Sequence, residues 1–184
     1  NTTLNTILLS TILKKLRDEK IEYVIMEASS HGLKQNRLDG LNFDTGIFTN
    51  LSHDHLDYHK DLKNYLKAKL YLFESLIKRK GNVITDEEIP EFKKIKKITI
   101  NKNYKLHTLN NKKNNFRILS HVYKGDSQII KIRHGNSVKI INLNLIGKIQ
   151  LKNILMAIIA AEKSKLDIKK ILAVVPKINS VEGR

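Results

Sequence analysis

Leu4, Ile7, Leu8, Ile12 and Leu16 recur at helical spacing and predict an amphipathic helix over residues 4–20. The apolar run Tyr23-Val24-Ile25-Met26 follows and reads as a short strand buried on both faces. A second run, residues 43–48, repeats the strand signal after a loop punctuated by Gly32 and Gly40. Over residues 61–78, Leu62, Tyr65, Leu66, Leu70, Phe73 and Leu76 form the stripe of a further helix. Gly81-Asn82 reads as a turn into a strand at 83–85, and Asp86-Glu87-Glu88 as the acidic start of a short helix. Residues 97–100 read as a strand, and 102–115 as a polar surface connection. Residues 116–123, 128–133 and 138–145 alternate, are rich in Ile and Val, and are separated by Lys124-Gly125-Asp126 and His134-Gly135-Asn136. That pattern predicts an antiparallel meander over about 116–146. Two helices close the chain at 151–163 and 168–175, the second stopped by Pro176. The order of elements predicts an α/β fold, a mainly parallel sheet flanked by helices, with a small antiparallel sub-sheet beside it.

Composition changes this picture little. At 184 residues with 41% apolar and 28% charged residues, the chain is a globular domain of ordinary size. It has no cysteine, hence neither a disulfide framework nor a thiolate metal site, and is compatible with a reducing compartment. No run approaches the ~18 apolar residues of a membrane span. The net charge of +16 suggests either a polyanion partner or a lysine-rich background. Lysines are scattered along the chain and no aromatic ladder accompanies them, which favours the background. A small anion such as a nucleotide would gain from the same field.

Candidate chemistry concentrates where the first two strand signals end. One loop carries Glu27, Ser29, Ser30, His31, Gln35 and Arg37; the other carries Asn50, Asp54, His55, Asp57 and His59. In an open α/β sheet, ligands sit beyond the carboxyl ends of strands. Lys69 lies seven residues after Leu62 and seven before Leu76, so it falls on the apolar stripe while Lys63 and Lys67 do not. A buried lysine is driven toward the neutral amine; alternatively its stem alone is covered and its head snorkels to water. Histidine and carboxylate in the second loop also suit a metal-dependent hydrolase, and charge alone keeps a basic nucleic-acid-binding domain open. Any single histidine here could equally satisfy loop backbone groups.

Asn1-Thr2-Thr3, Met26-Glu27-Ala28-Ser29-Ser30-His31-Gly32-Leu33, Thr49-Asn50-Leu51-Ser52-His53-Asp54-His55-Leu56-Asp57-Tyr58-His59 and Ala68-Lys69 occur in this order. Together they resemble the central domain of the Mur ligases, and within that family the branch that adds the third amino acid of the peptidoglycan stem. Leu145-Ile146-Gly147, Asn153 and the closing Gly183-Arg184 extend the resemblance over nearly all of residues 1–184, most weakly across 80–115. It implies a cytoplasmic, ATP-dependent amide ligation in which the carboxylate of UDP-MurNAc-L-Ala-D-Glu is phosphorylated and a diamino acid attacks the acyl phosphate. No nucleic acid and no membrane takes part. By matching positions, Asn1, Thr2, Thr3, Ser29, Gln35 and Arg37 would hold the acceptor, and Asn50, Asn153 and Arg184 the ATP. Glu27, His55 and Lys69 would be the catalytic and magnesium-binding set, with Lys69 carrying a carbamate derived from carbon dioxide. Asp54, Asp57 and His59 are expected to make supporting hydrogen bonds rather than ligand contacts. Two departures stand out: Gln150 replaces the first asparagine of an N-x-x-N pair, and no G-x-x-G-K-[ST] stretch is present. The phosphate-cradling strand and loop are therefore expected upstream of Asn1 and the amino-acid-selecting domain downstream of Arg184, so the fragment is not expected to turn over alone.

Overall fold

The computed structural model describes residues 3–52, 56–109, 116–125 and 127–179. The chain divides into two compact units, residues 1–44 with 51–79 and residues 45–50 with 80–184.

In the first unit, α1 (Thr6–Asp18) starts at Asn5, whose side chain accepts the Leu8 N–H at 2.9 Å. Leu9 is its buried residue, whereas Ile7 is 83% exposed and Leu8 and Ile12 are also exposed. The helix is where the periodicity puts it, but the buried face is not the predicted one. Apolar residues occur on more than one side of α1, so spacing could not choose between them. The expected strand at residues 23–26 is not formed. Ile25 is 97% exposed, and the segment lies in none of the described strands. An apolar run becomes a strand only when a neighbouring strand takes its backbone N–H and C=O groups.

Next come α2 (Ser30–Lys34), β1 (Phe43–Ile47), the single turn α3 (Leu56–His59) and α4 (Leu62–Tyr71). Asp61 caps α4 by accepting the Asn64 N–H at 2.7 Å. The predicted helix ends early: residues Leu72–Leu76 form a π-helical turn, and the chain then enters β2 (Ile77–Asp86). The wider turn keeps Phe73 and Leu76 buried after Tyr65, Leu66 and Leu70. Gly81-Asn82 is not a turn but lies inside β2, just after Lys80 takes a positive φ of 61°.

In the second unit, α5 (Phe92–Asn101) occupies the residues expected to form a strand at 97–100. Their β-branched character misled; Ile95 and Thr99, one helical turn apart, are the buried positions of an amphipathic helix. Of the acidic residues, Asp86 ends β2, and Glu87 and Glu88 lie in the turn between β2 and α5. β3 (Lys105–Leu109) lies within the stretch expected to be a polar connection, with Thr108 and Leu109 buried. It pairs parallel with β2, Val83 opposite Leu106 and Thr85 opposite Thr108, in a sheet of order β1-β2-β3. Asn82 bonds to Thr45 and Ile84 to Phe48, so partner numbers rise together and β1 also runs parallel to β2.

The meander forms as expected from β4 (Phe116–Lys124), β5 (Ser127–His134) and β6 (Ser137–Leu143), paired antiparallel in that order. Gly135, at φ 57°, makes the two-residue turn between His134 and Ser137. α6 (Lys148–Lys163) and α7 (Ile168–Val174) follow, and Pro176 sits in a 3-10 turn. Ile84, Leu109, Ile130, Ile132, Leu143 and Leu155 share one apolar cluster, so both sheets and α6 enclose a common core. This is the α/β architecture that the pattern predicts: a parallel three-stranded sheet flanked by helices, plus a small antiparallel sheet.

Candidate functional site

The polar loop before β1 is organised around Thr3, which is 3% exposed. Its Oγ1 donates to the Glu27 carbonyl at 3.0 Å and receives the Ser29 N–H at 2.9 Å, with Ser29 Oγ also at 2.9 Å. Ser29 caps α2 by accepting the Gly32 N–H at 3.1 Å. The Thr3 carbonyl accepts from the Arg37 guanidinium at 2.7 Å. A Cβ on Gly32 would stand 2.7 Å from Thr3 Cβ and Cγ2, so only glycine lets the α2 backbone approach this closely. Thr3, Ser29 and Arg37, expected from sequence to act together, are thus drawn into one hydrogen-bonded corner. Gln35 is exposed and donates to the Tyr58 hydroxyl at 2.9 Å.

A second layer of contacts was not visible in the sequence. Ser30 and His59 are both buried, with Ser30 Oγ and His59 Nε2 2.9 Å apart. The His59 ring stacks on Tyr65 of α4 at 5.0 Å. Tyr58 packs against His31 at 4.0 Å and lies under Lys34 Nζ at 4.5 Å. His59 therefore supports the loop from inside, as its expected hydrogen-bonding role requires. The only hint was the presence of Tyr58 and Tyr65 on either side of His59, which periodicity could not orient.

Lys69 is half-buried while Lys63 and Lys67 are exposed, as its place on the stripe predicts. Its Nζ sits 5.3 Å from the Tyr65 ring centre, within range of a cation–π contact. Glu27 is exposed at the end of the segment before α2. Asn1, Thr2, Asp54, His55 and Arg184 lie outside the described residues. Among the described residues no three His, Asp or Glu side chains gather into a metal site.

In the second unit, Asn50 is exposed just beyond β1, and Asn153 is half-buried on α6. The end of β1 is fastened to β2: Phe48 N–H donates to the Ile84 carbonyl at 2.9 Å and Thr85 Oγ1 donates to the Phe48 carbonyl at 3.0 Å. Sequence reasoning missed Asp86 and Lys152. Asp86 is fully buried at the end of β2, and its carboxylate is ion-paired with Lys152 of α6. Lys152 also reaches Glu88 at 2.9 Å. Burial opposes the Lys152 charge, but its hydrogen bonds to Asp86 and Glu88 prevail and raise its pKa. A cleft of about 340 Å³ adjoins this pair, lined by Glu88, Arg117, Ile118, His121, Lys148, Leu151 and Lys152.

Residues 1–161 match the family described as the Mur ligase middle domain. The UDP-N-acetylmuramoyl-L-alanyl-D-glutamate--2,6-diaminopimelate ligase of Leptospira interrogans is 33% identical over 96% of the chain, which spans 36% of that protein. The ligase of the same name from Fusobacterium nucleatum is 36% identical over 100% of the chain and 37% of its own length. The chain therefore spans little more than a third of these relatives. A solved structure of a ligase bearing that name superposes with a TM-score of 0.88 at 27% identity, covering 100% of this chain and 38% of its own. The MurF ligase from Thermotoga maritima in complex with ADP shares the fold, with a TM-score of 0.63 at 14% identity over 89% of this chain and 38% of its own.

Proposed function

The chain belongs to the Mur ligase family, and from that premise we propose that it is the central part of a cytoplasmic, ATP-dependent ligase. This ligase joins a diamino acid, meso-diaminopimelate, to UDP-MurNAc-L-Ala-D-Glu. The reaction and the acceptor are taken from the names of relatives that share about a third of its sequence. The observation that carries the reading is the corner built by Thr3, Ser29 and Arg37. These are residues that the family resemblance assigns to the acceptor, and their own hydrogen bonds hold them in a fixed arrangement. Fixed polar groups lose little freedom on binding, which favours a sugar-peptide ligand rich in hydroxyls and amides. Neither the metal-hydrolase nor the nucleic-acid reading has a comparable observation in its favour.

Within this proposal, Asn1, Thr2, Thr3, Ser29, Gln35 and Arg37 hold the acceptor, and the Arg37 guanidinium offers a fork to an anionic group. Asn50, Asn153 and Arg184 take the nucleotide; the ADP-bound relative of the same fold supports a nucleotide site. No G-x-x-G-K-[ST] stretch occurs among these 184 residues, so none of them is assigned to the ATP phosphates. Glu27, His55 and a carbamylated Lys69 form the proposed magnesium set. When bound, magnesium neutralises charge on the transferred phosphoryl group. Lys69 contributes from a half-buried position on α4, with its Nζ 5.3 Å from the Tyr65 ring centre.

Phosphate release by the complete protein tests the proposal, with ATP, magnesium and UDP-MurNAc-L-Ala-D-Glu present and meso-diaminopimelate or lysine added in turn. Release is expected to need both the acceptor and meso-diaminopimelate, and to collapse in Lys69→Ala. Release without the acceptor, or a fully active Lys69→Ala, would overturn the assignment.

A further inference from the structure

The cleft of about 340 Å³ in the second unit contains none of the residues assigned to the acceptor, the nucleotide or magnesium. Its walls come from β4, the first turns of α6 and the turn after β2. A register shift in β4 between Ile118 and Ser120 shapes one wall. On a regular strand, residues three apart face opposite ways. The extra residue instead leaves Ile118 opposite Ile132 and His121 opposite Ile130, both on the side of the sheet where β5 buries its side chains. Ile118 and Leu151 of α6 give the cleft its apolar surface.

His121 is held from behind. Gln128 is fully buried, and its amide nitrogen donates to the Leu145 and Gly147 carbonyls. Its Oε1 therefore accepts from His121 Nε2, at 2.6 Å, so that Nε2 carries a proton and the ring is fixed in place. A buried amide that orients a side chain of the wall marks a built cavity rather than a gap between surface groups. Charge then selects the ligand. Lys152 lies between Asp86 and Glu88, so the carboxylates beside the cleft already have a cation. Arg117 and Lys148 line the same cleft, and neither is paired with a carboxylate among the described residues. A guanidinium fork and an ammonium together form a donor set suited to phosphate oxygens.

We propose that this cleft binds a phosphate monoester, with the phosphate at Arg117 and Lys148 and the organic group against Ile118 and Leu151. The two cations match the two charges of the phosphate, and the apolar wall gives the rest of the ligand a surface to cover. At 100° per residue, Lys148, Leu151 and Lys152 share one side of α6, while Asn153 points roughly 140° away from Lys148. The cleft is thus not on the face that carries Asn153, and the proposal stands independently of the ligase reading.

Calorimetric titration of the complete protein with phenyl phosphate, with and without saturating ADP, tests the proposal. One site for phenyl phosphate should persist under ADP, and inorganic phosphate should bind it more weakly because the apolar wall stays uncovered. Arg117→Gln and Lys148→Gln should each weaken that site about fivefold or more, since each removes a charge-assisted hydrogen bond. Both positions are exposed, so the thermal midpoint should stay near that of the wild type. Lys131→Gln is the control: it lies between buried Ile130 and Ile132 on β5 and so faces away from the cleft. Its effect should remain under about twofold. If no phenyl phosphate site persists under ADP, the proposal of a separate site is overturned. A loss in Lys131→Gln equal to that in Arg117→Gln overturns it too, because binding would then follow the overall positive charge.

Discussion

The two units solve different problems. The second is built on a contiguous apolar cluster that joins β2, β3, the meander and α6, with a buried ion pair at its edge. The first buries Leu33, Leu38, Tyr65, Leu66 and Phe73, yet exposes Ile7 and Ile25 and concentrates neutral hydrogen bonds around Thr3. Apolar layers give stability without direction, because hydrophobic burial does not depend on orientation. Hydrogen bonds among Thr3, Ser29 and Glu27 add little net stability but fix positions closely. The second unit therefore rests on an apolar core, while the first gathers directional hydrogen bonds around Thr3.

The contrast is sharpest for apolar truncation. Leu155→Ala, at a fully buried position of α6, should cost about 2–5 kcal/mol in urea unfolding. Ile25→Ser should stay within about 0.5 kcal/mol, although it too removes most of a large apolar side chain. A large loss at Ile25 would show that this segment is covered in the intact protein. Next in size, Gly32→Ala should cost about 1–3 kcal/mol, because the new methyl meets Thr3 at 2.7 Å. Thr3→Val keeps the shape but removes the hub oxygen. A loss of about 1–2 kcal/mol is expected, together with a rise in acceptor KM that exceeds any rise for ATP. Equal effects on both substrates would remove the special role of this corner.

The smallest effect is a pH dependence in the second unit. Burial, with help from Lys163 and Lys105 and against Glu162, pushes His107 below its ordinary 6.5. As pH falls, the unfolded chain then binds this proton first. The contribution of His107 is complete above pH 6.5 and is lost as pH falls from there through the lowered value. Glu162 is disfavoured by burial, but hydrogen bonds from His134 and Lys163 hold it below 4.5, so its contribution is lost only under more acidic conditions. Thermal midpoints between about pH 7 and 5 should fall for the wild type and flatten in His107→Gln. A slope unchanged by that substitution would assign the titration elsewhere.

Much of this was legible along the chain. Alternation with Gly135 at its turn specified the β5–β6 hairpin, because a period of two and a left-handed turn residue leave few options. The seven-residue spacing around Lys69 anticipated its half-buried place, since helical phase follows from sequence distance alone. Thr3, Ser29 and Arg37 were identifiable as a group through family resemblance, but their mutual hydrogen bonds were not. The misassigned segments share a cause. Residues 23–26 and 97–100 have the same β-branched, apolar character, yet the first lies in no described strand and the second lies in a helix. Short apolar runs carry no period long enough to separate these outcomes.

The sequence by itself determined the α/β class, the meander, the helical phase of α4 and the family, because these depend on local periodicity and on residue types in fixed order. Only tertiary structure decided which face of α1 is buried, that β3 forms at residues 105–109, and that Ser30 meets His59. It also decided that Asp86 finds Lys152, 66 positions further along the chain. Contacts of that range depend on which surfaces pack together, and no pattern read along the chain specifies their partners.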